Sequence, residues 1–205
     1  MLIALIGESG AGKTTLENLL NEEGFAQKLI SCTSRQKRVS DLDNAYYFIS
    51  KEDFDQNPEL FLEKEVFGGN YYGLTKQELD RVLSLNKRAC LVSTLGGYEQ
   101  VIEKLGNSIP SVLIYVTCKE EVVRKRMLDR GDSEEFVNYR IEQDTARFKG
   151  KIQAIHNLLR AENIRVNNLH EGFILDTTNK SLEEILVVVK NIVNHVESRN
   201  NNQNQ

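Results

Sequence analysis

Unbroken apolar runs recur along the chain and are separated by stretches with the periodicity of a helix. The runs cover residues 2–6, 28–31, 89–93, 111–117 and 172–176. A strand that is apolar at successive positions is typically buried on both faces, as in parallel sheets with helices packed against each side. The pattern therefore predicts an α/β fold with a five-stranded parallel sheet covered by helices on both faces.

Apolar positions spaced three and four apart predict the helices that separate these strands. We expect helices at residues 13–21, 95–105, 119–130, 133–161 in one or two pieces, and 181–197. The polar sequence SRNNNQNQ at residues 198–205 offers no apolar side chain to a core. We therefore expect those last residues to form a disordered tail.

Two stretches depart from this alternation of strands and helices. Residues 31–83 carry short half-polar segments instead of one crossover helix, and RGDSEE at residues 130–135 interrupts two helical patterns. The first indicates a small inserted subdomain and the second a mobile lid. Such moving parts suit phosphoryl-transfer enzymes, which must exclude water from the reaction.

We accordingly expect a single domain followed by the tail. The expected ranges are 1–197 for the whole domain, 1–30, 84–128 and 146–197 for its core, 31–83 for the insertion, and about 129–145 for the lid.

Composition narrows the range of partners. The 205 residues carry a formal net charge of −4, which gives no general attraction to nucleic acid or to an anionic membrane. No apolar run approaches the length that spans a bilayer, and no basic leader precedes the first strand. We expect a cytoplasmic monomer or homodimer that binds neither nucleic acid nor membrane, with Cys32, Cys90 and Cys118 reduced.

The sequence GESGAGKT, from Gly7 to Thr14, follows the first apolar run and matches the pattern GxxxxGKS/T. Its glycines let successive backbone N–H groups curl around a phosphate, and the next helix adds the positive end of its dipole. Lys13 is expected to reach the β and γ phosphates of a nucleoside triphosphate, and Thr14 to offer a hydroxyl to Mg²⁺. The residues expected to bind the donor triphosphate are Gly7, Glu8, Ser9, Gly10, Ala11, Gly12, Lys13, Thr14 and Thr15.

Two further segments indicate a second phosphate site. They read SCTSRQKRVSDLDNAYYF at residues 31–48 and FLEKEVFGGNYYGLT at residues 61–75. The planar guanidinium groups of Arg35 and Arg38 can each pair with two phosphate oxygens. A solvated basic cluster is the alternative for RQKR, and the aromatic residues that follow at regular distances disfavour it.

Three side chains in these segments complete the second site. The hydroxyls of Tyr47 and Tyr72 can fill the remaining positions around the phosphate. The carboxylate of Glu63 suits guanine, because it can accept from the ring N1–H and the exocyclic amine together. Adenine does not offer that pair of donors.

In their order and spacing, these segments resemble the guanylate kinase family of P-loop nucleoside monophosphate kinases. The positions that match the family's motifs are Ser31, Arg35, Arg38, Asp41, Tyr47, Glu63 and Tyr72. The resemblance runs from the P-loop to the arginine-bearing helices and implies transfer of the γ-phosphoryl of ATP to GMP or dGMP, with Mg²⁺ as cofactor. It also implies that Ser31 lies near the guanine base.

Three arginines later in the chain resemble the lid arginines of that family. Arg126 and Arg130 lie four residues apart on one predicted helix face, and Arg140 falls in the next helix. The resemblance implies that they stabilise charge on the transferring phosphoryl group. A solvated helix face is the alternative for each. Thr177 and Thr178 follow the last predicted strand, where they can border the base of the donor.

The chain departs from the family pattern at two places. The family has acidic residues at the end of the third core strand, where this sequence has Ser93 and Leu95. The hydroxyl that follows GNYYG in the family is replaced by Leu74, and we expect the next residue, Thr75, to compensate. These differences leave the base selectivity and the support of the metal open.

Three other functions stay open beside a guanylate kinase. The first is a kinase for another or a broader set of nucleoside monophosphates. The second is a guanylate-kinase-like binding module, which the intact Lys13 and Thr14 disfavour. The third is a regulatory GTPase, prompted by NKS at residues 179–181 and disfavoured because Leu182 replaces the acid that must follow.

Overall fold

A computed structural model describes residues 1–37, 44–67, 69–106, 108–148 and 170–203. Within these ranges the strands are β1 (Leu2–Gly7), β2 (Gln27–Lys28), β3 (Cys32–Thr33), β4 (Tyr47–Phe48), β5 (Phe61–Phe67), β6 (Asn70–Thr75), β7 (Ala89–Val92), β8 (Ser111–Thr117) and β9 (His170–Asp176). The helices are α1 (Lys13–Glu22), α2 (Lys51–Gln56), α3 (Lys76–Ser84), α4 (Leu95–Leu105), α5 (Glu120–Asp129), α6 (Glu134–Phe148) and α7 (Leu182–Gln203), with a 3-10 helix at Pro58–Leu60.

The central sheet has five parallel strands in the order β2-β7-β1-β8-β9. Its middle strand is β1, in which Leu2 pairs with Ala89 on β7 and with Ser111 on β8. Every side chain from Leu2 to Ile6 is fully buried, as the unbroken apolar run predicts. The predicted α/β fold with a five-stranded parallel sheet is confirmed.

Helices cover both faces of this sheet, because alternate side chains of β1 point in opposite directions. Ile3 and Leu5 pack into a core that includes residues of α1 and α7. Leu2 packs into a second core with residues of α3 and α4. Ligands bind at the carboxyl ends of the strands in sheets of this kind.

A second, four-stranded sheet has the order β4-β3-β6-β5 and is built from residues 32–75. β6 pairs antiparallel with β3 and β5, whereas β4 pairs parallel with β3. A small core of Cys32, Phe54 and Phe61 supports it, with the two phenyl rings stacked 4.6 Å apart. All four strands fall within the insertion expected at residues 31–83, and the division into core, insertion and lid stays a prediction.

The second strand of the central sheet is shorter than predicted. It ends at Lys28 rather than at residue 31. The backbone N–H of Leu29 still donates to the Cys90 carbonyl on β7, but the N–H of Ile30 donates to the Glu78 carboxylate at 3.0 Å. This contact turns the chain away from the central sheet and towards the second one.

The prediction of a disordered tail is wrong for residues 198–203, because α7 continues to Gln203. Arg199 forms an ion pair with Glu171 on β9 at 3.6 Å, and Asn200 is buried. These contacts with the rest of the fold stabilise the last turns of the helix, which its polar composition alone disfavours.

Several further expectations can be compared with the described ranges. The helix predicted at residues 133–161 is seen as α6 up to Phe148, and residues 149–169 lie outside the described ranges. Cys32, Cys90 and Cys118 form no disulfide. Among the described helices, none has the length and apolar character needed to cross a membrane.

Candidate active site

The loop that joins β1 to α1 has the backbone geometry of a phosphate-binding loop. Gly12 has a φ of +103°, a left-handed conformation that residues with a Cβ rarely adopt. A Cβ at Gly7 would lie 1.9 Å from the carbonyl oxygen of Val116 on the adjacent β8. Both glycines are therefore required, one for its conformation and one for close approach.

Lys13 begins α1 and extends its side chain back across this loop. Its Nζ donates to the carbonyl oxygen of Gly7 at 2.8 Å and to that of Glu8 at 2.7 Å. The same side chain lines two cavities. One cation thus lies at the boundary between two spaces of the size typical of ligand sites.

The first cavity has a volume of about 550 Å³ and lies beside the start of α1. Thr14 and Thr15 are exposed in its wall, together with Gly12 and Ala11 of the loop. The N-terminus of α1 opens onto this space, and the N–H groups and dipole at the start of a helix favour a bound phosphate. The geometry therefore suits the triphosphate of a donor nucleotide.

Two of the predicted lid arginines line the same cavity. Arg126 on α5 donates to the hydroxyl and the carbonyl oxygen of Thr177, both at 3.1 Å, and contacts the carbonyl oxygen of Ala11 at 3.4 Å. Arg130, just after α5, is exposed and pairs with Asp132 at 2.5 Å. Arg126 thus connects the phosphate loop with the end of β9, while Arg130 lies at the edge of the cavity.

The second cavity has a volume of about 780 Å³ and lies between the loop, the second sheet and α6. Three of the predicted acceptor residues lie in its wall, namely Ser31, Glu63 and Tyr72. Burial is the main cause that raises the pKa of Glu63 to about 7, and the nearby charge of Glu65 adds to it. The cavity therefore presents a carboxyl group that can change its protonation when a ligand binds.

Tyr46, just before β4, and Tyr47, the first residue of β4, point in different directions. The Tyr46 ring lines the second cavity, 6.0 Å from the Tyr72 ring and 5.4 Å from the guanidinium carbon of Arg35. The Tyr47 hydroxyl instead donates to the buried Glu78 carboxylate at 3.2 Å. The structure thus brings Tyr46 to the cavity, and not the predicted Tyr47.

Thr75 also lies elsewhere than the sequence suggests. Its hydroxyl accepts from the backbone N–H of Glu78 at 3.2 Å and caps α3, and its side chain is not in the cavity wall. Leu74 is fully buried in the core that includes α3 and α4. Thr75 is therefore not positioned to replace the hydroxyl that Leu74 lacks.

Of the two arginines expected at the acceptor phosphate, only Arg35 is among the described residues. The Arg35 guanidinium carbon lies 5.7 Å from the centre of the Phe48 ring, and Nη1 donates to the carbonyl oxygen of Gln36 at 2.8 Å. Arg35 thus packs against the aromatic face that borders the cavity. Arg38 and Asp41 lie outside the described residues.

Helix α6 closes the second cavity on the side of the phosphate loop. Arg140 donates to the Ser9 hydroxyl at 2.6 Å, and its guanidinium carbon lies 4.9 Å from the centre of the Phe67 ring on β5. One turn later, Asp144 accepts from the backbone N–H of Ser9 at 2.6 Å. The helix thus contacts both the phosphate loop and the second sheet, as a lid over this cavity must.

The end of β7 borders the second cavity without an acidic residue of its own. Ser93 and Thr94 line the cavity, whereas Leu95 begins α4 and packs against the core. The Thr94 hydroxyl accepts from the backbone N–H of Gly97 at 3.0 Å and donates to the carboxylate of Glu65. An acid therefore lies at this position, supplied by β5 instead of β7.

The protein groups near the loop fit a magnesium ion that is bound mainly by the substrate. Among the described residues, no group of three or more histidine, cysteine, aspartate or glutamate side chains could hold a metal ion. Thr14 offers one hydroxyl in the wall of the first cavity. Mg²⁺ retains several waters and binds substrate phosphates, so a single protein oxygen is a suitable donor set.

The sequence did not identify Tyr46, Glu65 or Asp144 as site residues. The alternation of side chains along a strand indicates Glu65, because it shares a face with Glu63. Asp144 had no local signal, since its partner Ser9 lies 135 positions away in the chain.

The sequence comparisons with known proteins identify guanylate kinases. The family model described as guanylate kinase matches residues 1–196. A guanylate kinase of Bartonella henselae is 33% identical over 144 residues, which are 69% of this chain, and the chain spans only 65% of that relative's length. A guanylate kinase of Chlamydia caviae is 32% identical over 207 residues, covering 97% of this chain and 90% of the relative.

A solved structure supports the fold. The crystal structure of guanylate kinase from Anaplasma phagocytophilum superposes with a TM-score of 0.58 at 19% identity, covering 95% of this chain and 85% of that chain. At this identity the solved structure supports the fold alone. The family model and the curated relatives are matches of the sequence itself. On these grounds the chain belongs to the guanylate kinase family.

Proposed function

We propose that the protein is a guanylate kinase, an enzyme that transfers the γ-phosphoryl group of ATP to GMP or dGMP. The observation that carries this proposal is the position of Lys13, whose side chain lines both cavities. A kinase must align a donor and an acceptor on either side of the transferring group. A regulatory GTPase binds one nucleotide and has no need of the second cavity.

In this proposal the first cavity holds ATP and the second holds the monophosphate. The phosphates of ATP lie along the loop and the N-terminus of α1. The guanine base lies against Glu63, and its phosphate lies towards Tyr46, Tyr72 and Arg35. Arg38, which lies outside the described residues, is expected to pair with the same phosphate. Family membership and the side chains in the second cavity wall support this arrangement.

The transfer requires no nucleophilic or basic side chain. The acceptor phosphate oxygen is already anionic at neutral pH, so the protein contributes alignment and charge stabilisation. We propose that Lys13 interacts with the migrating phosphoryl group, and that Arg126 and Arg140 stabilise its charge from the two sides of the loop. In comparable phosphoryl-transfer enzymes, an arginine in this role increases kcat by about 10³–10⁵-fold.

We propose that Mg²⁺ is the cofactor and that the Thr14 hydroxyl would help to hold it. When bound, the ion neutralises negative charge on the phosphates of ATP. Neither Ser93 nor Leu95 is acidic, and the Thr14 hydroxyl is the one protein oxygen that we assign to the metal.

The lid arrangement supports the same proposal. Because α6 contacts Ser9 through Arg140 and Asp144, its movement can open and close the second cavity. A closed lid excludes water, which would otherwise compete with GMP as acceptor. We propose that residues 31–83 and about 129–145 move as the insertion and the lid of the domain.

A kinase with a broader choice of monophosphates is the second candidate. Leu74 removes a hydroxyl from the acceptor site, and Thr75 caps α3 instead of replacing it. A binding module is disfavoured because Lys13 and Thr14 are present. The expected monomeric or homodimeric state and the cytoplasmic location stay predictions.

Incubation of the protein with γ-labelled ATP, GMP and Mg²⁺ tests the proposal. We expect the label to enter GDP, and we expect Lys13→Met to abolish this transfer while GMP still binds. Binding of GMP without transfer by the wild-type protein would favour the binding module. Release of the label as inorganic phosphate, at a rate that GMP does not change, would contradict a kinase.

A further inference from the structure

The acceptor cavity contains a second carboxylate beside Glu63. Glu63 and Glu65 stand at alternate positions of β5, so both side chains point to the same face of the strand and line the cavity. Lys64 between them points to the other face, where its Nζ lies 4.2 Å from the centre of the Tyr71 ring. The strand therefore brings two acids, without the intervening cation, to one wall.

The Glu65 carboxylate has a hydrogen-bond donor in the protein, the hydroxyl of Thr94. The Thr94 hydroxyl accepts from the backbone N–H of Gly97 at 3.0 Å at the start of α4. Its single proton is then available to the Glu65 carboxylate, with which it forms a hydrogen bond. Thr94 thus orients the Glu65 carboxylate at the wall of the cavity.

Glu63 has the opposite surroundings. It is only 5% exposed, and the described residues donate no hydrogen bond to its carboxyl group although it lines the cavity. Burial, and secondly the charge of Glu65, raise its pKa to about 7. A buried acid without a donor, in the wall of an open cavity, indicates a ligand that brings N–H groups of its own.

The remaining ionisable groups of the cavity wall do not replace such a ligand. In the described part of the wall they are Lys13, Tyr46, Tyr72, Tyr139, Arg140 and Asp144. Glu65 is the one charged group that perturbs the pKa of Glu63 within this part of the chain. The charge of Glu65 thus acts on Glu63 from the same wall of the cavity.

We infer that Glu65 is a second base-reading residue, which accepts from the exocyclic amine of guanine while Glu63 accepts from N1–H and from the same amine. This inference rests on the proposed function. Guanine has three N–H bonds on this side, one at N1 and two on the amine, and one carboxylate can accept only two of them in parallel. Hypoxanthine lacks the amine, and N1 of adenine is an acceptor that carboxylates repel.

Binding of guanine changes the protonation of Glu63. A protonated carboxyl group lacks one of the two acceptor positions that the base requires, so Glu63 must lose its proton to bind N1–H and the amine together. The proton passes to solvent. Binding of GMP near pH 7 is therefore coupled to the release of up to one proton, and affinity rises as the pH rises through this range.

Comparison of GMP with IMP isolates the contact to the amine. We would measure kcat/KM for both acceptors at saturating ATP in the wild type, Glu65→Gln and Glu65→Ala. Glu99→Ala, at an exposed position of α4, is the control. The ratio of GMP to IMP is expected to fall about 10- to 150-fold in both Glu65 variants, through the value for GMP, with the KM of ATP unchanged.

Calorimetry supplies a readout that does not depend on catalysis. GMP is titrated at pH 7 in two buffers of different ionisation enthalpy, which measures the protons released. Glu65→Gln is expected to release fewer protons than the wild type, because loss of the neighbouring charge lowers the pKa of Glu63. Titration with IMP under the same conditions gives the ratio of the affinities for GMP and IMP, which is compared with the ratio of their kcat/KM values.

The outcomes separate this inference from the proposed function. An unchanged GMP to IMP ratio in both Glu65 variants, in a protein that phosphorylates GMP, overturns the inference alone. GMP binding with the expected discrimination and proton release, but without transfer, overturns the proposed kinase and supports the inference. Failure of the wild type to bind either nucleotide overturns both.

Discussion

Substitution of Gly97 by alanine would displace Glu63 while leaving most of the fold intact. A Cβ at Gly97 would lie 2.7 Å from Oε2 of Glu63 and 2.3 Å from Oγ of Ser93. Both distances are far below van der Waals contact, so these two side chains must move. The neighbouring Gly96 is the matched control, because a Cβ there would lie 3.3 Å from Oε1 of Glu65 and 3.9 Å from Oγ1 of Thr94.

These contacts set the expected changes in the free energy of unfolding and in kcat/KM for GMP. The clashes involve the ends of side chains rather than backbone, so rotation of Glu63 relieves them at about 0.5–1.5 kcal/mol. Replacement of glycine by alanine in a helix stabilises the folded state by about 0.5–1 kcal/mol, because the unfolded chain loses conformational freedom. The free energy of unfolding should therefore change by no more than about 1 kcal/mol. Loss of a charge-assisted hydrogen bond to guanine costs about 1.5–3 kcal/mol, or about 10- to 150-fold in kcat/KM for GMP.

Steady-state kinetics with GMP as the varied substrate, together with urea denaturation, provide the assay. Gly97→Ala should fold and bind ATP normally and lose kcat/KM for GMP, whereas Gly96→Ala should stay within about threefold of the wild type. A folded Gly97→Ala protein with wild-type kcat/KM for GMP would refute the placement of Glu63 at the acceptor base.

Three further predictions concern the loop, the tyrosines and the buried acid. Lys13→Met should reduce transfer by about 10³-fold or more, as measured by GDP formation, and near-normal turnover would exclude its role. Tyr46→Phe should raise the KM of GMP about tenfold, whereas Tyr47→Phe should leave it unchanged and lower the free energy of unfolding by about 1 kcal/mol, because Glu78 loses a donor. The pKa of Glu63 is raised from 4.5 to about 7, so the contribution of this group to the free energy of unfolding is fully present below pH 4.5 and is lost as the pH rises to 7. Urea denaturation should show that Glu63→Gln removes about 3 kcal/mol of this loss, and identical pH profiles for the two proteins would contradict the shift.

The sequence predicted those features that depend on local patterns. The apolar run at the start of the chain forms β1, and the glycines after it adopt the conformation that the phosphate-binding pattern requires. The helix expected at residues 95–105 is observed as Leu95–Leu105, because the Thr94 side chain caps its first turn and Gly106 follows its end. Such signals lie within a few residues of the structure that they determine.

Features that depend on tertiary contacts were predicted less well. Two adjacent tyrosines gave no indication of which one faces the cavity, because this depends on the phase of a two-residue strand, Tyr47–Phe48. Arg199 and Asn200 extend α7 through contacts with distant parts of the chain. The role of Thr75 was predictable, since a threonine followed three positions later by Glu78 is a helix-capping pattern.

A panel of acceptor nucleotides tests whether the second cavity recognises guanine. With ATP as donor, kcat/KM is measured for GMP, dGMP, AMP, UMP, CMP and dTMP under identical conditions. The two buried or partly buried carboxyl groups of β5 require a base with several N–H donors on one edge. We predict a preference of about 10²-fold or more for GMP and dGMP over AMP. Equal use of AMP, or turnover without any preference for guanine, would contradict the assignment of this cavity.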